Sequence, residues 1–165
     1  MKNMSTENNS ELLYDNSVQI LTDLIAFKTI SGEDNSLLID YCDNILKKLG
    51  ATSFRTYDDA KKRVNLFATL KAKNSNSKKP IILSGHTDVV PVSKGWSSDP
   101  FTATIKGDKL YGRGSCDMKG FIACTLAYAP IYSKSNLDRD IHSSFTFDEE
   151  TACQGAPILL SLIHI

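Results

Sequence analysis

The chain has 165 residues, with 19 lysines and arginines against 19 aspartates and glutamates, enough for one domain with its own core and too few for two full domains. A formal net charge of zero supplies no long-range field toward nucleic acid or an anionic membrane, so neither is expected as a partner. No stretch approaches the roughly 20 apolar residues of a membrane span, residues 1–10 lack a signal peptide's apolar core, and Cys42, Cys116, Cys124 and Cys153 form no C-x-x-C pair, which together read as a cytoplasmic protein with small buried cysteines.

Tyr14, Val18, Leu21 and Ile25 recur at helical spacing and predict an amphipathic helix over residues 15–27. A second helix follows, with Ser36 as N-cap, a stripe of Leu38, Cys42, Ile45 and Leu49, and Gly50 as its stop. Three β-like runs come next, at 52–57, 64–70 and 81–84, with a loop at 74–79 between the last two. Ile81-Ile82-Leu83 is continuous rather than alternating, the pattern of a strand covered on both faces. Lys61-Lys62-Arg63, followed by Lys71, Lys73, Lys78 and Lys79, has no interleaved aromatic residues; it reads as a solvated turn and loop rather than a phosphate-binding patch. Residues 101–105 and 109–111 predict a hairpin turned at Lys106-Gly107-Asp108. A buried helix is expected over 121–132, an alternating strand over 142–147 and the start of a further helix over 156–163. The alternation of helices and strands predicts an α/β domain, with a mixed, mainly parallel sheet and helices on both faces. Ligand sites in such folds lie where strands end.

Three clusters fall at such places. Ser84-Gly85-His86-Thr87-Asp88-Val89-Val90-Pro91 puts His86 and Asp88 two residues apart, so in an extended segment both project to one side. Asp88 is then either the carboxylate that orients a metal-binding His86 or its hydrogen-bond partner at a plain strand end. Tyr111-Gly112-Arg113-Gly114-Ser115-Cys116-Asp117-Met118-Lys119-Gly120 matches neither phosphate-loop pattern; by itself Asp117 reads as the cap of the next helix. Asp148-Glu149-Glu150 follows a strand directly. Neighbouring strand residues point to opposite faces, so Glu149 and Glu150 serve one site only if the chain is already turning, as the later Gly155 permits. Taken together, a histidine and carboxylates at the ends of separate segments are what a hydrolytic zinc site uses.

The order and spacing of Ser84 through Pro91, Trp96, Pro100-Phe101, Leu110 through Gly114, Asp117 through Gly120 and Asp148-Glu149-Glu150 resemble the cocatalytic-zinc aminoacylase and carboxypeptidase family. With Asn65-Leu66-Phe67-Ala68-Thr69 upstream, the resemblance covers nearly the whole chain. It implies a zinc-exopeptidase-like catalytic domain with two divalent ions, zinc first, with cobalt or manganese also suited. By the resemblance, His86 holds one metal, Asp117 bridges both, Glu150 holds the other, Glu149 is the general base and Asp88 orients His86. It also implies a cis Asp117–Met118 bond and a small N-acylated amino acid as substrate.

The family has a further acidic ligand, a second histidine and a lid or dimerisation domain in segments that correspond to none of residues 1–165. The resemblance therefore implies the amino-terminal portion of a catalytic domain, a truncated piece with little activity by itself, and a homodimeric full-length parent. His164 sits on the wrong segment to replace the second histidine. A reading of another class is a non-catalytic α/β module that pairs with another chain through its sheet; it has no reason to retain two metal ions.

Overall fold

The computed structural model describes residues 4–74 and 78–163. Residues 1–3, residues 75–77 of the predicted loop, and His164 lie outside the described residues. The elements in chain order are α1 (Met4–Ala26), α2 (Ser36–Lys48), β1 (Thr52–Tyr57), β2 (Val64–Leu70), β3 (Ile81–His86), β4 (Thr104–Lys106), β5 (Lys109–Tyr111), α3 (Lys119–Lys134), β6 (Ile141–Thr146) and α4 (Gly155–Ile163).

The main sheet has the order β1-β2-β6-β3. It is mixed, but parallel pairing is confined to β3 and β6, while β1–β2 and β2–β6 are antiparallel. The expectation of a mainly parallel sheet is corrected on that point. Residues 58–63 are too short a link for the crossover that a parallel β1–β2 pair needs. Helices cover both faces. Strand alternation sends Val64, Leu66, Ala68 and Leu70 into one core with Leu38, Cys42 and Leu46 of α2 and Ile122 and Leu126 of α3. Leu159 of α4 packs on the opposite face, beside Phe67 and Ser144.

Several local expectations change. α1 begins well before residue 15, because nothing from Met4 to Tyr14 is a glycine or proline that would stop a helix. Ser36 is the first helical residue rather than the cap. Ile81 and Ile82 are 45% and 50% exposed, because β3 is an edge strand among the described residues; an uncovered edge reads the same in sequence as a buried centre. The small hairpin is shorter than predicted, since Asp99 first draws the Phe101 backbone N–H and the Thr102 hydroxyl into a local turn. Only Cys42 is buried, whereas Cys116, Cys124 and Cys153 are exposed. Lys61 and Arg63 lie in the β1–β2 turn, where Arg63 pairs with Asp58, while Lys71 pairs with Asp140.

Asn35, at the N-cap position of α2, makes no cap bond and instead joins three segments. Its Nδ2 donates to the Val64 carbonyl (2.9 Å) and Thr87 Oγ1 (2.8 Å), and its Oδ1 accepts the Val64 N–H (2.7 Å). Asn35→Ala strands both backbone groups of Val64 in the interior. At 1–3 kcal/mol per unsatisfied buried group, the variant should lose about 3 kcal/mol, read from its urea midpoint.

Candidate metal centre

His86 ends β3 and pairs with Thr146, which ends β6, in parallel register. The loops after these strands therefore leave the sheet side by side, and they carry Asp88 and Glu149-Glu150. α3 begins at Lys119, with Met118 at its N-cap position and no side-chain cap bond, so Asp117 does not cap it. The Asp117–Met118 peptide bond is cis. Lys119 has no exposed surface, and its Nζ donates to the carbonyls of Leu24 (2.9 Å) and Phe27 (2.7 Å), tying α3 to the end of α1.

The imidazole of His86 is the hub. Its Nε2 lies 3.0 Å from Asp117 Oδ1 and 3.8 Å from Glu149 Oε2. One ligand atom each from His86, Glu149 and Glu150 lie within 4.8 Å of one another, so the three can hold a metal ion. Asp117 reaches Nε2 yet stays outside that triplet. One imidazole nitrogen and several partly exposed carboxylate oxygens are a donor set that fits zinc, cobalt or manganese.

Asp88 does more than the sequence suggests. His86 Nδ1 lies 2.9 Å from the Asp88 backbone carbonyl and 3.4 Å from its Oδ1, so the backbone makes the closer contact. With Nδ1–H donated there, Nε2 is the ring nitrogen that faces the cluster. The Asp88 carboxylate accepts the Glu149 N–H at 2.9 Å, the Glu150 N–H at 3.2 Å and the Ser31 hydroxyl at 2.7 Å. One aspartate thus holds the histidine and both glutamates.

Glu149 and Glu150 face one cluster because the turn comes before them, at Asp148, whose φ is +52°. Gly155 is glycine for another reason: a Cβ there would lie 2.5 Å from the Phe147 carbonyl oxygen. Asp148 is no ligand. It is buried, accepts the Gly32 N–H at 2.8 Å and pairs with the Arg63 guanidinium, which also lies over the Phe147 ring at 5.4 Å. Ser31, Gly32 and Arg63 were not singled out from sequence as site supports. The Gly32–Asp148 contact spans 116 residues, and no local pattern marks it.

Burial opposes charge on His86, but Asp88 and Asp117 lift its pKa from 6.5 to about 9. Burial would raise the Asp88 carboxyl, yet His86, Ser31 and the two backbone N–H groups hold it below the ordinary value. Burial, then the Asp117 charge, raises Glu150. Imidazolium is the cation of the metal-free cluster, and an ion must displace its proton. Metal binding is therefore expected to release a proton, with affinity rising about tenfold per pH unit up to pH about 9. Calorimetry in two buffers of different ionisation enthalpy reads this directly; uptake without proton release at pH 7 would contradict it. In the metal-free chain the same group contributes its full stability below pH 6.5 and loses it as pH rises through about 9.

The model of peptidase family M20/M25/M40 matches residues 82–164, which include His86, Asp117, Glu149 and Glu150. An acetylornithine deacetylase of Proteus mirabilis is 36% identical over 147 residues, 84% of this chain and 37% of that protein. A succinyl-diaminopimelate desuccinylase of Rickettsia canadensis is 40% identical over 156 residues, 89% of this chain and 39% of that protein. The chain thus spans about two fifths of the length of these curated relatives. Among solved structures, an M20 family metallo-carboxypeptidase from Sulfolobus solfataricus superposes with a TM-score of 0.69 at 26% identity, over 82% of this chain and 31% of that one. Human carnosine dipeptidase 1 shares the fold, with a TM-score of 0.73 at 23% identity over 93% of this chain and 35% of that one.

Proposed function

Since the chain belongs to peptidase family M20/M25/M40, we propose that the whole protein is a two-metal amide hydrolase that cleaves N2-acetyl-L-ornithine to L-ornithine and acetate, a cytoplasmic step toward arginine. The observation that carries this reading is the convergence of His86, Asp117, Glu149 and Glu150 on one strand-end cluster. Relatives named for that deacetylation reach 36% and 38% identity.

In this reading His86, Asp117 and Glu150 would hold the two ions, His86 and Glu150 one each and Asp117 serving both, with zinc the first choice and cobalt or manganese acceptable. The ions supply Lewis acidity toward the amide carbonyl and acidify water. The chain's own side chains do the rest. Glu149 is 46% exposed and 3.8 Å from the imidazole, so water and substrate can both reach it. Its carboxylate takes the proton from the attacking water and passes it to the departing amine. Asp88 fixes the Glu149 backbone and the His86 ring together, so that base and ligand keep their spacing. The substrate is a small N-acylated amino acid rather than a nucleic acid or membrane, and the whole protein is proposed to be a homodimer.

A second reading is succinyl-diaminopimelate hydrolysis, favoured by the 40% identity of the desuccinylase. The segments Cys116-Asp117-Met118-Lys119-Gly120-Phe121 and Asp148-Glu149-Glu150, the latter followed by Cys153, resemble the acetylornithine enzymes more, and on that resemblance acetylornithine is placed first. The whole protein, assayed with both substrates and added zinc or cobalt, is expected to turn over acetylornithine faster. Preference for the succinylated substrate would transfer the assignment, and hydrolysis of neither would overturn the reading. Metal retained through purification separates it from a non-catalytic pairing module.

A further inference from the structure

Lys119 has no exposed surface, and no step of the proposed reaction uses it. Among the described residues no carboxylate pairs with its amine, unlike those of Lys47, Lys71 and Lys78. Its two acceptors have other donors. The Leu24 carbonyl already accepts the Phe27 N–H at 3.2 Å, and the Phe27 carbonyl accepts the Thr29 N–H at 3.0 Å. Burying an ammonium without a counter-charge is costly, and these bonds do little to satisfy the backbone. What they do is join two segments.

On one side is the loop that carries Asp117. The Lys119 N–H closes it on the Gly114 carbonyl at 2.9 Å, and a Cβ on Gly120 would lie 2.5 Å from the Ser115 carbonyl oxygen. So tight a loop moves with the lysine. The Asp117 side chain itself is 73% exposed, so its place at the cluster depends on how the loop is anchored. On the other side, residues 27–32 form a strap past the remaining segments of the cluster. Thr29 Oγ1 donates to the Thr87 carbonyl at 2.6 Å, and the Val89 N–H donates to the Thr29 carbonyl at 2.9 Å. Further along the strap, Ser31 donates to Asp88 and the Gly32 N–H to Asp148.

We propose that Lys119 is a positioning residue of the metal centre. Through the Leu24 and Phe27 carbonyls it pins the Asp117 loop to the strap that also holds Asp88 and Asp148, which keeps Asp117 where it serves both ions. The inference rests on the metal roles given in the proposed function.

Lys119→Met keeps the length of the stem and removes the amine. In the whole protein, zinc affinity read by competition with a chromophoric chelator is expected to fall about 10- to 100-fold, the usual cost of losing a group that orients a metal ligand. The urea midpoint of the metal-free protein should not fall, because a buried charge leaves together with its two bonds. Hydrogen exchange of the metal-free protein should quicken about tenfold in peptides from residues 112–121 and stay unchanged in β2 and β6. Unchanged exchange in that loop, or zinc bound as tightly as by the wild type, would overturn the proposal. So would a variant that fails to fold, or one with a lowered urea midpoint and faster exchange across the sheet, since the lysine would then support the fold as a whole. A wild type that takes up no zinc overturns the proposed function instead. That result is told apart from failure of this inference, in which wild type and Lys119→Met bind zinc equally.

Discussion

Glu149→Ala is expected to lower kcat of the whole protein roughly 100- to 10,000-fold, the range that a positioned general base contributes, with zinc content and KM nearly unchanged. The geometry makes this a sharp test, because Glu149 stands in the same triplet as His86 and Glu150 and can be read as a third ligand. Its 3.8 Å separation from the imidazole favours the base, whereas Asp117 takes the 3.0 Å contact. A base that is removed leaves the ions in place and abolishes proton transfer. A ligand that is removed loosens an ion, so activity falls in step with metal content and is partly restored by excess zinc. Steady-state kinetics paired with metal analysis at several zinc concentrations distinguishes the two outcomes. Loss of zinc from Glu149→Ala would make it a ligand and leave the base unassigned.

The second large effect concerns the 165 residues taken alone. Their turnover of N2-acetyl-L-ornithine is expected to fall far below the ordinary enzyme range of roughly 1–1,000 per second. On the proposed roles, with Glu149 as base and Asp117 serving both ions, each ion would have two protein ligands, one short of the three usual in catalytic zinc sites. Misplacement of a reacting group by about an ångström can cost on the order of a hundredfold. The assay compares the chain with its Glu149→Ala variant in added zinc or cobalt. Turnover within the ordinary range, abolished in the variant, would show that these side chains suffice or that a second copy completes them.

Strands, helices and the segments that bear the site were legible where a short window carries the cause. The stripe of α2, the β-like run of β2 and the turn at Gly107 depend on neighbours in sequence. Pairing direction and edge position do not: the Ile81-Ile82-Leu83 run has the same composition at an edge as at a centre, and it is exposed by its edge place in the sheet of the described residues. At the cluster, His86, Asp117, Glu149 and Glu150 were visible as side chains suited to one chemistry, lying at segment ends. The Asp88 bonds to two backbone N–H groups depend instead on where the Glu149-Glu150 turn sits, and the partners of Asp148 come from residues 32 and 63. Such contacts exist only once the fold has brought distant segments together. Arg63 in particular belongs by composition to a basic turn and by geometry to the support of the glutamates.

The central claim is that His86, Asp117 and Glu150 form a metal centre. Its most direct test is diffraction from zinc-soaked crystals on both sides of the zinc absorption edge. An anomalous peak is expected at about 2.0–2.1 Å from His86 Nε2, within coordination reach of the Asp117 and Glu150 carboxylates, and absent in His86→Ala. Crystals that contain zinc but show no peak at this cluster, with His86 Nε2 still at hydrogen-bond distance from Asp117, would contradict the claim.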